Sequence, residues 1–365
     1  MKMNTKNQTV LDKIVALTKE FVSIKSNSGN ANELEKILEI ALSNLKGYKI
    51  ERFENNGVKS ALIYNSKKRP QKFKIILNGH LDVVPGKEYQ YIPKIINGKL
   101  YGVGSMDMKA SVACLIIAFE EVASRVNYPL ALQLVTDEEI GGFNGTKYQV
   151  DRGVKADFVI AGESTNFNIV TKAKGILCVK IFSKGKTAHG AYPWRGKNAI
   201  WEMNKFLNLL GERYPVPNHQ EWITTVNLSK IKTSNQSFNK IPDDCEIWLD
   251  IRYIPEETDT IVNNIKELLS QGFKLNIVSK EPALVVDENN NYLKILQEVD
   301  ERIIKKKVLL YGAQGSSDAR HFTRVGIDGI EFGPIGGNIG SDNEWVSIKS
   351  LEQYYQILKN FLLAI

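Results

Sequence analysis

The sequence predicts an α/β sandwich interrupted by a smaller inserted domain of the ferredoxin-like βαββαβ kind. Three observations predict it. As far as Ala161, helical apolar spacing alternates with short apolar runs, the signature of helices packed on a largely parallel or mixed sheet. Past about Lys172 the order becomes strand, helix, two strands, helix, strand, which closes on itself as a split βαβ unit. From about Glu281 the helix–strand alternation resumes. The expected division is therefore 1–172 with 281–365 as one discontinuous domain, and 173–280 as the insertion.

Taken in order, Val10–Val22 and Leu34–Leu45 carry apolar residues at helical spacing. Lys49–Phe53, Ser60–Tyr64 and Phe73–Leu77 read as strands, and a long helix is expected over Asp107–Arg125. Leu130–Val135 and Phe158–Ala161 are apolar runs of buried-strand length, with a short helix near Lys147 between them. In the insertion, Ile176–Phe182, Trp222–Ile231, Glu246–Ile251 and Phe273–Val278 are the strands, and Asn198–Arg213 and Glu257–Leu269 the helices. The last part supplies helices at Asn291–Ile304, Ser317–Arg324 and Leu351–Ala364, with strands at Lys307–Tyr311 and Gly329–Phe332.

Composition narrows the function classes. With 43% hydrophobic and 24% charged residues over 365 positions, the chain has material for cores and is too apolar for disorder. No apolar run approaches the roughly 18 residues a membrane helix needs, and the first twenty residues are too polar for a signal-peptide core. Three separated cysteines without CxxC spacing argue against a disulfide framework and against cysteine-bound zinc. The net charge of +7 is spread along the chain among acids, which favours a solvated surface over a nucleic-acid face. A cytoplasmic protein that binds neither nucleic acid nor membrane is expected.

Polar clusters follow the carboxyl ends of apolar strands, the edge where open α/β sheets bind ligands. Gly79-His80-Leu81-Asp82 follows Phe73–Leu77, and residues two apart on an extended segment share a side, so Asp82 can brace the His80 ring. Thr136-Asp137-Glu138-Glu139 follows Leu130–Val135; adjacent carboxylates repel unless a cation or proton relieves them. Gly162-Glu163 follows the strand ending at Ala161, and Gly102–Lys109 is a glycine-rich turn in which Asp107 by itself reads as a helix N-cap. One imidazole with the carboxylates of Asp107, Glu138, Glu139 and Glu163 suits zinc, with cobalt or manganese as substitutes. No G-x-S-x-G nucleophile motif competes.

These segments resemble the dinuclear-zinc amidohydrolase and peptidase family of succinyl-diaminopimelate desuccinylase, acetylornithine deacetylase, aminoacylase and carboxypeptidase G. The matching stretches are Gly79–Pro85, Gly98–Lys109, Thr136–Gly142, Gly162–Thr165, Gly185–Pro193 and Ser317–Arg320, in the family's order. The resemblance implies that His80 and Glu163 bind one zinc, Glu139 the other, and Asp107 both, through a cis peptide to Met108. It implies Glu138 as the general base on the bridging water, with Asp82 behind His80, and His189 as the oxyanion donor. Asn239, Arg252 and Arg320 would hold the substrate, a small anionic N-acyl amino acid or dipeptide. The inserted domain would form a homodimer, with His189 able to serve the partner's site.

Two positions depart from the family pattern. Its last metal ligand is a His five residues before the aromatic of the C-terminal motif, and Gly340 stands there. Only Asp107 and Glu139 then remain for the second ion, so one firmly held zinc and a weakened second site are expected. The alternative is a degenerate member that binds metal and a small ligand with little or no turnover. Asp342, by bending in, and His321, beside Arg320, are the donors that could substitute. Val103 also stands where the family usually has Arg.

Overall fold

The computed structural model describes residues 5–365, and its internal contacts divide the chain into two units. One comprises the residues up to Lys172 with Val285–Tyr311 and Ser317–Ile365; the other comprises Ala173–Leu284 with Gly312–Ser316.

Helices α1 (Thr5–Val22) and α2 (Ala31–Ser43) precede strands β1 (Lys49–Asn55), β2 (Val58–Tyr64) and β3 (Phe73–His80). A hairpin of β4 (Lys94–Ile96) and β5 (Lys99–Tyr101) leads to α3 (Ala110–Val122), β6 (Leu130–Val135), α4 (Thr146–Asp151), β7 (Ala156–Ala161) and β8 (Ile169–Ala173). The second unit runs β9 (Gly175–Lys184), α5 (Ala199–Arg213), β10 (Thr225–Lys232), β11 (Asp244–Tyr253), α6 (Ile261–Glu267) and β12 (Phe273–Glu281). Then come β13 (Leu284–Val285), α7 (Asn291–Ile304), β14 (Leu310–Ala313), α8 (Ala319–Thr323), β15 (Asp328–Glu331), β16 (Gly336–Gly337), β17 (Trp345–Ser347) and α9 (Ile348–Ala364).

The large sheet is mixed, in the order β1-β2-β6-β3-β7-β15-β8-β13. At its centre β6, β3, β7 and β15 run parallel, with His80 opposite Val135 and Glu331 opposite Ala161. These strands are covered on both faces, which is why they read as unbroken apolar runs. Parallel pairing also brings their carboxyl ends to one edge, so the clusters that follow them in sequence become neighbours in space. Helix α3 is apolar almost all round and is buried between β3 and β6 on one side and α1 and α9 on the other. On the opposite face, Val150 of α4 and Phe322 of α8 pack with Ile76, Ala131 and Val159.

The second unit is an antiparallel sheet in the order β10-β11-β9-β12. Alternate residues of β9 and β11 point inward and meet Phe206 of α5 and Ile265 of α6. This is the βαββαβ order expected from the sequence.

Several elements differ from expectation for identifiable reasons. The helix expected from Asp107 begins at Ala110, and Asp107 is no N-cap: Ser105–Lys109 form a wide turn closed by Lys109 N–H donating to the Gly104 carbonyl at 2.8 Å. The strand expected over Lys307–Tyr311 is displaced to Leu310–Ala313, because the amides of Val308 and Leu309 donate to side chains, Glu301 and Asn168. The β4–β5 hairpin has exposed apolar residues, so no burial pattern marked it. Its turn, Asn97-Gly98 with both φ positive, is the signal that could have done so. Among the described residues no helix is long and apolar enough to cross a membrane.

One buried carboxyl has no structural partner. Asp300 of α7 is fully buried and neither oxygen accepts a hydrogen bond. Burial, reinforced by the Glu301 charge, pushes its pKa up to about 8. The folded chain therefore keeps a proton that the unfolded chain releases, so stability falls as pH rises from the ordinary carboxylate range to about 8. Asp300→Asn is expected to stabilise the fold by about 1–3 kcal/mol at neutral pH. The gain should grow with pH over that window, as read from urea melts at several pH values; a constant or negative difference would contradict it.

Candidate metal centre

The ligand candidates sit at the shared sheet edge. His80 ends β3, Glu163 follows β7, and Asp107 lies in the wide turn before α3. Among the described residues these three form the one group whose donor atoms all lie within 4.8 Å of each other. His80 Nε2 is 3.0 Å from Asp107 Oδ1 and 3.7 Å from Glu163 Oε1. Its Nδ1 is 3.0 Å from the Asp82 carbonyl, an acceptor, so Nδ1 carries a proton and Nε2 is the ring atom turned to the carboxylates.

The glycines before His80 and Glu163 have a steric cause. The Met108 methyl lies beneath both strand ends; a Cβ at residue 162 would approach it to 2.7 Å, and one at residue 79 would meet it at 3.4 Å and Val112 at 2.8 Å. Gly104, at φ +73, leaves no room for a side chain against Val83. The Asp107–Met108 peptide is cis. Val103 is buried with Val83 and Tyr91, so at this position the chain fills a small apolar cluster.

Asp82 contributes mainly to the neighbouring loop. Its carboxylate accepts from the Glu138 and Glu139 amides at 3.2 and 2.9 Å, and its Oδ1 is 3.5 Å from His80 Nδ1. The third acid of that run, Asp137, accepts from the Asn144 and Gly145 amides and shapes the turn. Glu138 is mostly buried, 4.0 Å from Arg320. Glu139 lies outside the three-residue cluster and accepts from the Val84 amide at 3.2 Å.

The electrostatics describe a place that favours positive charge. Burial, with Asp107 nearby, pushes the Glu163 carboxyl well above the usual range; burial, against the relief from His80 and with further push from Asp318 and Asp107, does the same to Glu138. Burial raises Glu139 to about 7. Burial works against a charged His80, yet its hydrogen bonds to Asp107 and Asp82 and the Glu163 charge outweigh that and raise its pKa well above normal. In effect the imidazolium takes the place of a cation.

The remaining sequence candidates divide between the units. Arg320, on the first, is buried; it donates to the carbonyls of Ser317 and Gly141 at 2.7 Å each, and its Nε has no partner. His189 and Asn239, on the second, line one recess of about 410 Å³, where the Gly190 amide donates to the Asn239 carbonyl. Arg252, also on the second, forks onto Asp250 of its own strand at 2.9 and 3.1 Å. Both substitute donors are engaged elsewhere. Asp342 is ion-paired to Lys87, and His321 Nε2 meets the Gly141 carbonyl at 2.9 Å.

Sequence reasoning passed over Glu344 and Glu331. Glu344 is buried and accepts from three amides of the turn that carries Asp107. Glu331 ends β15, is raised to about 7 by burial, and stands next to the acids already described. Glu344 lies within the C-terminal motif, between Gly340 and the aromatic Trp345, but was given no role. Glu331 belongs to no recognisable short motif, and its place near the end of the strand expected over Gly329–Phe332 is the one positional signal available.

Residues 76–364 match the sequence profile of peptidase family M20/M25/M40. The chain belongs to this family. It is accordingly a metallohydrolase of amide or peptide bonds. This M20-family chain is 30% identical over 315 residues to succinyl-diaminopimelate desuccinylase of Pelagibacter ubique (strain HTCC1062), covering 78% of its own length and 81% of the relative. In fold it is similar to aminopeptidase PepT from Bacillus cereus ATCC 10987, with TM-score 0.77 and 20% identity over 96% of this chain and 98% of that one. It is also similar to the M20 family metallo-carboxypeptidase Sso-CP2 from Sulfolobus solfataricus, with TM-score 0.76 and 17% identity over 96% and 98%. A dinuclear metal binding M20 peptidase of Bacillus subtilis matches at TM-score 0.72 and 13% identity over 98% and 99%.

Proposed function

We propose that this M20 hydrolase cleaves the amide bond of a small anionic N-acyl amino acid or dipeptide. The observation that carries this reading is the convergence of buried His80 with partly buried Asp107 and Glu163, beside the mostly buried carboxyl of Glu138. One nitrogen and two carboxylate donors, mutually within 4.8 Å, fit a divalent cation such as zinc, with cobalt or manganese as substitutes. A cation held there would polarise a water and the scissile carbonyl. Glu138 takes the proton from the attacking water and returns it to the leaving amine. Asp82 positions that step, because its carboxylate holds the amides of both Glu138 and Glu139.

His189 donates to the developing oxyanion, from this chain or a partner. Arg320, with an unused buried Nε, and Asn239 bind the substrate; Arg252 joins them by exchanging Asp250 for a substrate carboxylate. A homodimer through the second unit is part of the same reading. Its support is the open edge of β10 with Leu228 and Ile231 exposed, and the exposed Trp201 of α5.

Glu139 is the second site's ligand, and that site is weak in this reading. Gly340 carries no donor, sits at φ +65, and has open space around it. Extensively dialysed protein is expected to retain one firmly held ion per chain. It should hydrolyse at least one of a set of N-acetyl, N-succinyl and dipeptide substrates with zinc, cobalt or manganese, and lose the activity to a chelator. Two tightly held ions would overturn the weak-site assignment. Absence of turnover across the set, with metal bound and ligands raising the melting temperature, would establish the degenerate reading instead.

A further inference from the structure

We propose that Glu344 is a positioning residue for the turn that presents Asp107, and that this is what the C-terminal segment contributes to the site. The inference rests on the metal reading above. The turn Ser105–Lys109 leaves the helical path at Asp107 and Met108, so amides at its start find no helical carbonyl. Buried amides without acceptors are costly. Glu344, 2% exposed, serves three of them: Oε1 accepts from Met106 at 2.7 Å and Asp107 at 3.1 Å, and Oε2 from Gly104 at 3.2 Å.

The carboxylate is itself anchored. The Gly102 amide donates to the Glu344 carbonyl at 3.2 Å, and the next residue, Trp345, pairs with Tyr101 across β17 and β5. From the other side, Ser164 Oγ donates to the Met106 carbonyl at 2.7 Å, tying the turn to the loop that carries Glu163. The Asp107 carboxylate is thus held between two fixed points and set against His80. Asn338–Asn343 are exposed, and Glu344 is where the segment re-enters the protein. Two oxygens shared among three amides hold the turn at more than one point, which a single hydrogen bond would not.

Cobalt(II) titration followed by visible absorption tests this, because the spectrum reports ligand geometry directly. Glu344→Ala is expected to weaken Co²⁺ binding about 10–100-fold and to change the absorption of the bound ion. Glu344→Gln should fall between, since its one carbonyl oxygen can accept from Met106 and Asp107 but not from Gly104. Val346→Ala, two residues on in β17 and fully buried, serves as the packing control. It should lower the melting temperature while leaving Co²⁺ affinity and absorption as in the parent. Parent-like Co²⁺ binding by Glu344→Ala, or equal weakening by Val346→Ala, would overturn the proposal.

Amide exchange in metal-free protein gives a readout independent of the ion. The Gly104, Met106 and Asp107 amides should exchange at least about tenfold faster in Glu344→Ala, and unchanged exchange would overturn the clamp. Failure of the functional reading would instead show as no Co²⁺ uptake by the unaltered chain.

Discussion

Glu138→Gln is expected to lower kcat for amide hydrolysis by about a hundred- to ten-thousand-fold, with metal content and melting temperature close to those of the unaltered chain. The amide keeps the shape of the side chain but cannot accept a proton. Asp82 grips the backbone amide of residue 138, not its side chain, so the loop should hold its position. The carboxyl lies against Arg320 at 4.0 Å and beside the charges of His80 and Asp107, close to where a water would be activated. Steady-state kinetics on whichever substrate the metal-loaded protein accepts would measure the loss. Retention of more than about a tenth of kcat would remove Glu138 from the base role.

His80→Asn is expected to abolish tight metal retention, with affinity reduced by more than about a hundredfold. Removing an outer partner of a metal ligand already costs about 10–100-fold, and His80 is the one nitrogen donor in the cluster. Its loss also leaves Asp107 and Glu163 facing each other without a positive neighbour, so the metal-free variant should be less stable as well. Calorimetric titration with Zn²⁺ and elemental analysis after dialysis would both register the change. Parent-like metal content would shift the centre elsewhere, with Asp107 and Glu139 the next residues to examine.

The open position at Gly340 and the anchored position at Glu344 belong to one segment and carry different consequences. In the proposed reading, glycine at 340 bears on how many ions are held, because it brings no donor and Asp342 and His321 are engaged by Lys87 and the Gly141 carbonyl. Glutamate at 344 bears on how well the remaining cluster is ordered, because it fixes the turn from which Asp107 projects. A loss of one ion is therefore compatible with a well-formed first site.

Much of the site was legible because it is built from strand ends. His80, Glu138, Glu139 and Glu163 each stand just past or at the end of an apolar run, and parallel pairing converts that common placement into proximity. Asp107 was legible only as a glycine-rich turn, and its own reading as an N-cap was mistaken. The local sequence cannot reveal that the turn's amides are satisfied by Glu344, which lies 237 residues further on. Asp82 illustrates a finer limit. Period-two spacing placed it beside His80, but its carboxylate makes its hydrogen bonds to the Glu138–Glu139 loop, while the carbonyl of the same residue meets the ring.

By itself the sequence determined the two architectures, the strand-end placement of the acids and imidazole, and the absence of a side-chain donor at residue 340. All of these follow from residue type and short-range periodicity. Tertiary structure alone decided that His80, Asp107 and Glu163 cluster while Glu139 stands apart, that Arg252 is already engaged by Asp250, and that Glu344 secures the Asp107 turn. The physical reason is range. Side-chain periodicity is set by neighbours a few bonds away, whereas the unmet hydrogen bonds of a buried turn are satisfied by whatever the folded chain brings within 3 Å or so.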